Sequence, residues 1–234
     1  MTKFQRAVSI LLVSASGLIA AATPPTVLWQ GSLRAVHGGD VAGRVALQQF
    51  AGKKNLYAVG PVAKLDGEIT IVGGKFYVAR VRHGAVETDG DLATQASFLV
   101  WSEVAAWKPP MRLGVKIDNQ AQLEKQIETL ALKAGIDTSK PFPFKLEGVF
   151  DAVDYHILVP KTSRQAQASH GDGAKKIDAK NTDAEIIGFF SKNHEGVFTH
   201  KDSFAHLHVV ERKGYSGHVD AISANADVRV LFPQ

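Results

Sequence analysis

The chain has no cysteine at all and only two methionines in 234 residues. The absence of cysteine excludes disulfide staples, thiolate metal ligands and a thiol nucleophile. Stability must therefore come from a core, and any metal must be held by histidine and carboxylate. No Gly-x-Gly-x-x-Gly lies between a strand and a helix, and no Gly-x-x-x-x-Gly-Lys occurs, so nucleotide binding has no sequence support. A Gly-x-Ser-x-Gly nucleophile turn is also missing. Beyond the N-terminus, no apolar stretch approaches the roughly 20 residues needed to span a bilayer.

Neither sign of charge dominates, with 27 basic and 23 acidic residues. The N-terminus has a short positive region (Lys3, Arg6), an apolar run from Ala7 to Ile19, and Ala20-Ala21-Ala22 before Thr23-Pro24-Pro25. This is the pattern of a secretory signal peptide. Residues 1–22 are thus expected to be removed and residues 23–234 to form the mature domain, exported to a periplasm or secreted and free of the membrane. Removing the leader takes two of the 27 basic residues and no acids, leaving an excess of two over the 23 acidic ones. The remaining basic residues are scattered, which argues against a nucleic-acid partner.

What the chain does have is histidine. Five of its nine histidines (His194, His200, His206, His208, His218) fall within 25 residues. Phe204 to Glu211 reads as a strand, so His206 and His208 share one face. A turn at Arg212 to Tyr215 brings His218 back beside them on an antiparallel strand. Three imidazoles without a fourth protein ligand describe an open zinc or similar divalent site, which fits several chemistries, water activation in a hydrolase among them. His194 and His200 lie in polar segments and read as loop residues, at most supporting partners of the ligands.

Elsewhere, Thr26 to Gln30 reads as a short strand and Asp40 to Phe50 as a short helix. Ile69 to Val72 and Lys75 to Val81 flank Gly73-Gly74 as a hairpin, and Ala96 to Trp101 is a buried strand. The best helix runs from Asn119 to Ala134, with Leu123, Ile127, Leu130 and Ala134 on one face, Asp118 as N-cap and Gly135 as the stop. Phe144 to Phe150 and Ala152 to Leu158 read as a strand pair turning near Asp151. Lys161 to Thr182 reads as a polar surface loop, and Ile186 to Phe190, His218 to Ile222 and Val228 to Phe232 as further strands. Many strands, few helices and no regular β-α-β alternation predict an α+β, sheet-rich fold with one long central helix separating two β-dominated halves.

Several motifs occur together in one order. Leu65-Asp66-Gly67-Glu68, followed by Gly73-Gly74-Lys75-Phe76-Tyr77, resembles the "LDGE…DGKFY" hairpin of the α-acetolactate decarboxylase family. Ile187-Gly188-Phe189 and Glu195-Gly196-Val197 resemble its "VGF" and "EGI" elements. Ala205-His206-Leu207-His208 and Ser216-Gly217-His218-Val219 resemble its "HLH…GGHV" metal segment. The likeness runs loosely from Trp29 to Phe232.

The resemblance implies an α+β fold of two related sheet motifs, assembled as a homodimer, with zinc held by His206, His208 and His218. It implies decarboxylation of 2-acetolactate, a small 2-hydroxy-3-oxo acid, to (R)-acetoin, with Glu68 in proton handling or substrate orientation. It places Lys145 where the family has an arginine that helps hold the substrate, a change that keeps the charge but loses the planar fork. A second family glutamate lies on a tail well beyond the third histidine, whereas the sequence here runs only 16 residues past His218. These departures leave a second reading, an exported zinc-containing protein that binds a small molecule without decarboxylating it.

Overall fold

The computed structural model describes residues 25–160 and 173–234. The elements begin with β1 (Leu28–Gln30), α1 (Leu33–His37), β2 (Val45–Ala46), β3 (Leu56–Pro61), β4 (Glu68–Val72), β5 (Lys75–Arg82), β6 (Ala85–Asp89), β7 (Gln95–Ala96) and β8 (Leu99–Glu103). The second half contains β9 (Met111–Arg112), α2 (Gln120–Lys133), β10 (Phe142–Leu158), β11 (Ala174–Phe190), β12 (Ala205–Glu211), β13 (Ser216–Ser223) and β14 (Arg229–Leu231). The sheet-rich α+β class is as expected, with the one long helix between two sheet motifs. The leader at 1–22 lies outside the described residues. No helix among the described residues is long and apolar enough to cross a membrane.

The first sheet has the order β1-β8-β3-β4-β5-β6. The second has β11-β12-β13-β10-β14-β9, and β10 also pairs with β11, so these four strands close into a ring. Strand alternation sorts side chains into layers. On β4, Ile69 and Ile71 join Leu56, Val78 and Leu99 in a core on the outer side of the first sheet, and Glu68 and Thr70 take the alternate positions. On β12, Ala205, Leu207 and Val209 join the core inside the ring, where Leu123, Ile127 and Leu130 of α2 also pack. His206 and His208 therefore face the other way, on the side where Ile187 and Phe189 of β11 meet Val59 and Phe98 of the first sheet.

Several expectations are corrected. β10 is one continuous strand of 17 residues with no turn at Asp151, because β11 pairs with it from Phe142 to Leu158. Consequently Ala174–Thr182, expected to be loop, is the first half of β11; residues 161–172 of that expected loop lie outside the described residues. Asp40 to Phe50 forms no α-helix: Val45 and Ala46 pair with β7, and only Leu47–Phe50 makes a 3-10 turn. The cap of α2 is Asn119, whose side chain accepts from the Gln122 N–H, and Asp118 instead donates its backbone N–H to Gln122.

Candidate metal centre

The site lies between the two sheets and is built from alternation and register. His208 is paired with His218 across β12 and β13, and His218 with His156 across β13 and β10. Paired residues share a face, so the ladder sets three imidazoles in a row. His206, two residues before His208, lies on the same face. The turn that returns the chain to His218 spans Arg212 to Tyr215, as the sequence predicts.

His206 Nδ1 donates to the Phe198 carbonyl oxygen at 2.8 Å. A carbonyl only accepts, so the proton sits on Nδ1 and Nε2 carries a bare lone pair. Two ring nitrogens converge on that lone pair, His208 Nε2 at 3.3 Å and His218 Nδ1 at 3.1 Å. One in-plane lone pair accepts one proton well and not two. A cation with ligands at about 2.0–2.1 Å in tetrahedral array sets neighbouring nitrogens roughly 3.3 Å apart, so the three donors fit a divalent ion. His208 Nδ1 lies 3.0 Å from Thr70 Oγ1, which accepts from Ser216 at 2.7 Å. Phe98 stacks on His206 with ring centroids 5.8 Å apart.

Burial keeps these rings neutral, as a ligand must be. It pushes His206 down to about 3, helped by His200. His208 and His218 are driven well below the ordinary histidine value by burial and then by His206.

Glu68 is 2% exposed, its carboxylate oxygens 3.8 Å from His208 Nε2 and 3.8 Å from His156 Nε2. Burial pushes its carboxyl up to about 8, against the pull of His156. At neutral pH it therefore holds a proton. His156 Nδ1 meets Asp220 Oδ1 at 2.8 Å. Asp220 is the extra residue of a bulge, since Asp154 pairs with Ala221 and Tyr155 with Val219. Bulges commonly re-aim a side chain beside a site, and here the carboxylate reaches His156. Burial works against the charge of His156, but its hydrogen bond with Asp220 holds its pKa above the ordinary value.

Lys145 is not brought to this cluster. Its ammonium pairs with Glu147 at 2.5 Å and Glu185 at 3.7 Å, over the Trp107 ring. In register it is two strands from His208, through Ile187, roughly 9–10 Å at the usual strand spacing. The two acids hold its ammonium beside the Trp107 ring. Sequence reasoning missed His156 and Thr70, which lie far upstream and become visible only through register. It also left His200 as a loop residue. His200 is on a loop, but its ring lies against His206 and His218. His194 bonds Ser191 and packs on Trp29 instead.

A sheet-built protein with a histidine cluster suited to a divalent metal is the class that fold and site define. The alpha-acetolactate decarboxylase family profile matches residues 28–232, and the chain belongs to that family. Among solved structures, alpha-acetolactate decarboxylase from Bacillus subtilis strain 168 is similar with a TM-score of 0.70 and 16% identity, covering 89% of this chain and 85% of that one. Acetolactate decarboxylase from Bacillus subtilis subspecies spizizenii gives 0.67 and 17%, covering 89% and 85%. A protein from Staphylococcus aureus, described as of unknown function and similar to alpha-acetolactate decarboxylase, gives 0.67 and 17%, covering 89% and 84%. At these identities the likeness establishes the fold. No curated protein matches the chain in sequence.

Proposed function

We propose that the protein decarboxylates 2-acetolactate, or a closely related 2-hydroxy-3-oxo acid, to (R)-acetoin or its analogue, with zinc or another divalent ion held by His206, His208 and His218. The observation that carries this reading is the buried carboxyl of Glu68 set 3.8 Å from His208, inside a nitrogen cluster spaced for a cation. A divalent cation supplies Lewis acidity, lowering the energy of negative charge on the substrate oxygens. When the carboxylate leaves as carbon dioxide, its bonding electron pair remains on the substrate as an enediolate. Glu68, a buried acid set beside His208, gives its proton to that carbon, and delivery from one fixed side makes the product a single enantiomer. His156, steadied at Nδ1 by Asp220, turns Nε2 toward Glu68 and the substrate space, where it orients the acid.

We propose in addition that the mature chain is exported and acts as a homodimer on a small soluble substrate. The leader-like residues 1–22 support export, and the family resemblance supports the dimer.

The test is to purify the mature chain, measure bound metal and incubate it with racemic acetolactate while following carbon dioxide and the chirality of acetoin. Metal and (R)-acetoin together are expected, with both lost in His206→Ala. Bound metal without acetoin would instead favour the small-molecule-binding protein.

A further inference from the structure

His200 is the one ring of the cluster to which the proposed chemistry assigns nothing. Its centroid lies 5.5 Å from His206 and 4.9 Å from His218. Those separations match the 4.8–5.3 Å among His206, His208 and His218 themselves. A donor nitrogen from each of His200, His206 and His218 lies within 4.8 Å of the others, wider than tetrahedral neighbours, so the loop must carry His200 inward for it to share one ion with them. His200 Nε2 is buried and has no hydrogen-bond partner among the described residues. A buried polar atom left unmade is costly, by about 1–3 kcal/mol, and a cation beside the other donors removes that cost.

The support of this ring differs from that of the other three. His206, His208 and His218 are held by β-ladders. His200 rides on a short loop pinned at its two ends. On one side Gly196 N–H donates to the Thr199 carbonyl at 2.8 Å. On the other, Ser203 Oγ and Ala205 N–H donate to buried Glu124 of α2 at 2.6 and 3.1 Å. Between the pins the tip turns through Asp202 at φ 59°. A cleft of about 370 Å³ is lined by His200, His156, His218 and Asp220. An oxygen ligand entering by this cleft arrives on the side of His200.

We propose that His200 is a fourth protein ligand to the divalent metal of this site, carried on a loop and displaced when the hydroxy-oxo acid binds. The proposal rests on the metal reading given above. Four protein donors leave a tetrahedral ion no open position, so one must leave for substrate to reach it. The loop ligand is the one that leaves, since its departure breaks no strand pairing. The site thereby stays closed to water and stray anions until a chelating substrate competes for it.

Cobalt(II) titrated into the metal-free full chain gives a readout independent of activity. The wild type is expected to show the strong visible bands of four-coordinate cobalt. In His200→Ala these bands weaken as water enters, and the Kd for Co2+, measured against a chromophoric chelator, rises on the order of tenfold, within the range that ligand supports command. His200→Gln behaves like His200→Ala, circular dichroism confirms both are folded, and added imidazole restores the wild-type spectrum to His200→Ala. A non-reacting 2-hydroxy acid moves the wild-type spectrum toward that of His200→Ala. If His200→Ala keeps both spectrum and Kd while His206→Ala loses cobalt, His200 is no ligand and the three-histidine site stands. If His206→Ala also binds cobalt like the wild type, both readings are overturned.

Discussion

Two side chains of β4 bear most of the chemical argument, and each makes a separable prediction. Glu68 is the proton donor of the proposed reaction, so Glu68→Gln should lower acetoin formation by roughly 10²–10⁴-fold, the usual weight of a positioned acid. Metal content measured on the same sample should be unchanged. Thr70 touches His208 Nδ1 and accepts from Ser216. Its change to Val removes the group that orients a ligand, and metal affinity should fall by about 10–100-fold while the fold persists. Lys145 provides the contrast. With its ammonium committed to Glu147 and Glu185, Lys145→Met is expected to cost on the order of 1–3 kcal/mol of stability and to leave turnover unchanged. Urea unfolding beside a steady-state assay separates the two effects.

At the scale of elements, two glycines set how closely strands approach the site. A Cβ on Gly217 would meet the His156 carbonyl oxygen and the Tyr155 ring, both at 2.6 Å. Gly67, at φ 130°, precedes Glu68, and a Cβ there would meet the Ala79 carbonyl at 2.1 Å. Each glycine stands directly before a residue of the site, because the neighbouring strand leaves no room for a side chain. Gly217→Ala should therefore cost about 1–3 kcal/mol by overpacking and move His218, so thermal stability and metal affinity fall together.

The same strands show what could be read from sequence. His206, His208 and their turn to His218 were legible because period-2 alternation and a short polar turn are local signals. The hairpin of β4 and β5 was legible for the same reason. The length of β10 was not: Glu147, Gly148, Asp151 and Asp154 look like turn residues, yet they occupy exposed or half-buried positions of a strand that pairs with β11 on both sides of Asp151. Once β10 is cut in two, His156 loses its register with His218, and the partner of Glu68 disappears from view. His200 was unreadable as part of the cluster because a loop has no periodicity to aim its ring.

For the whole molecule, the centre lies at the junction of the two sheets, so the ion and the packing support each other. On the proposed reading, metal binding to the folded state adds about 2.7 kcal/mol when free metal is 100 times Kd. A chelator should accordingly lower Tm, and graded zinc should raise it in a concentration-dependent way. His206→Ala should abolish that dependence.

The positions of the ligands along the chain carry one more consequence. His206 and His218 stand 12 positions apart with His208 between them, whereas the Thr70 hydroxyl that meets His208 is 138 residues away. Closing so short a loop takes about a microsecond or less, and pairing across 138 residues comes much later. On the proposed metal reading, the nascent β12–β13 hairpin would hold an ion in a loose grip, and arrival of the first sheet would then lock it. Capture and retention thus belong to different stages of folding. The ion gained early is then held more tightly, because the first sheet brings Thr70 against His208 and Glu68 beside it.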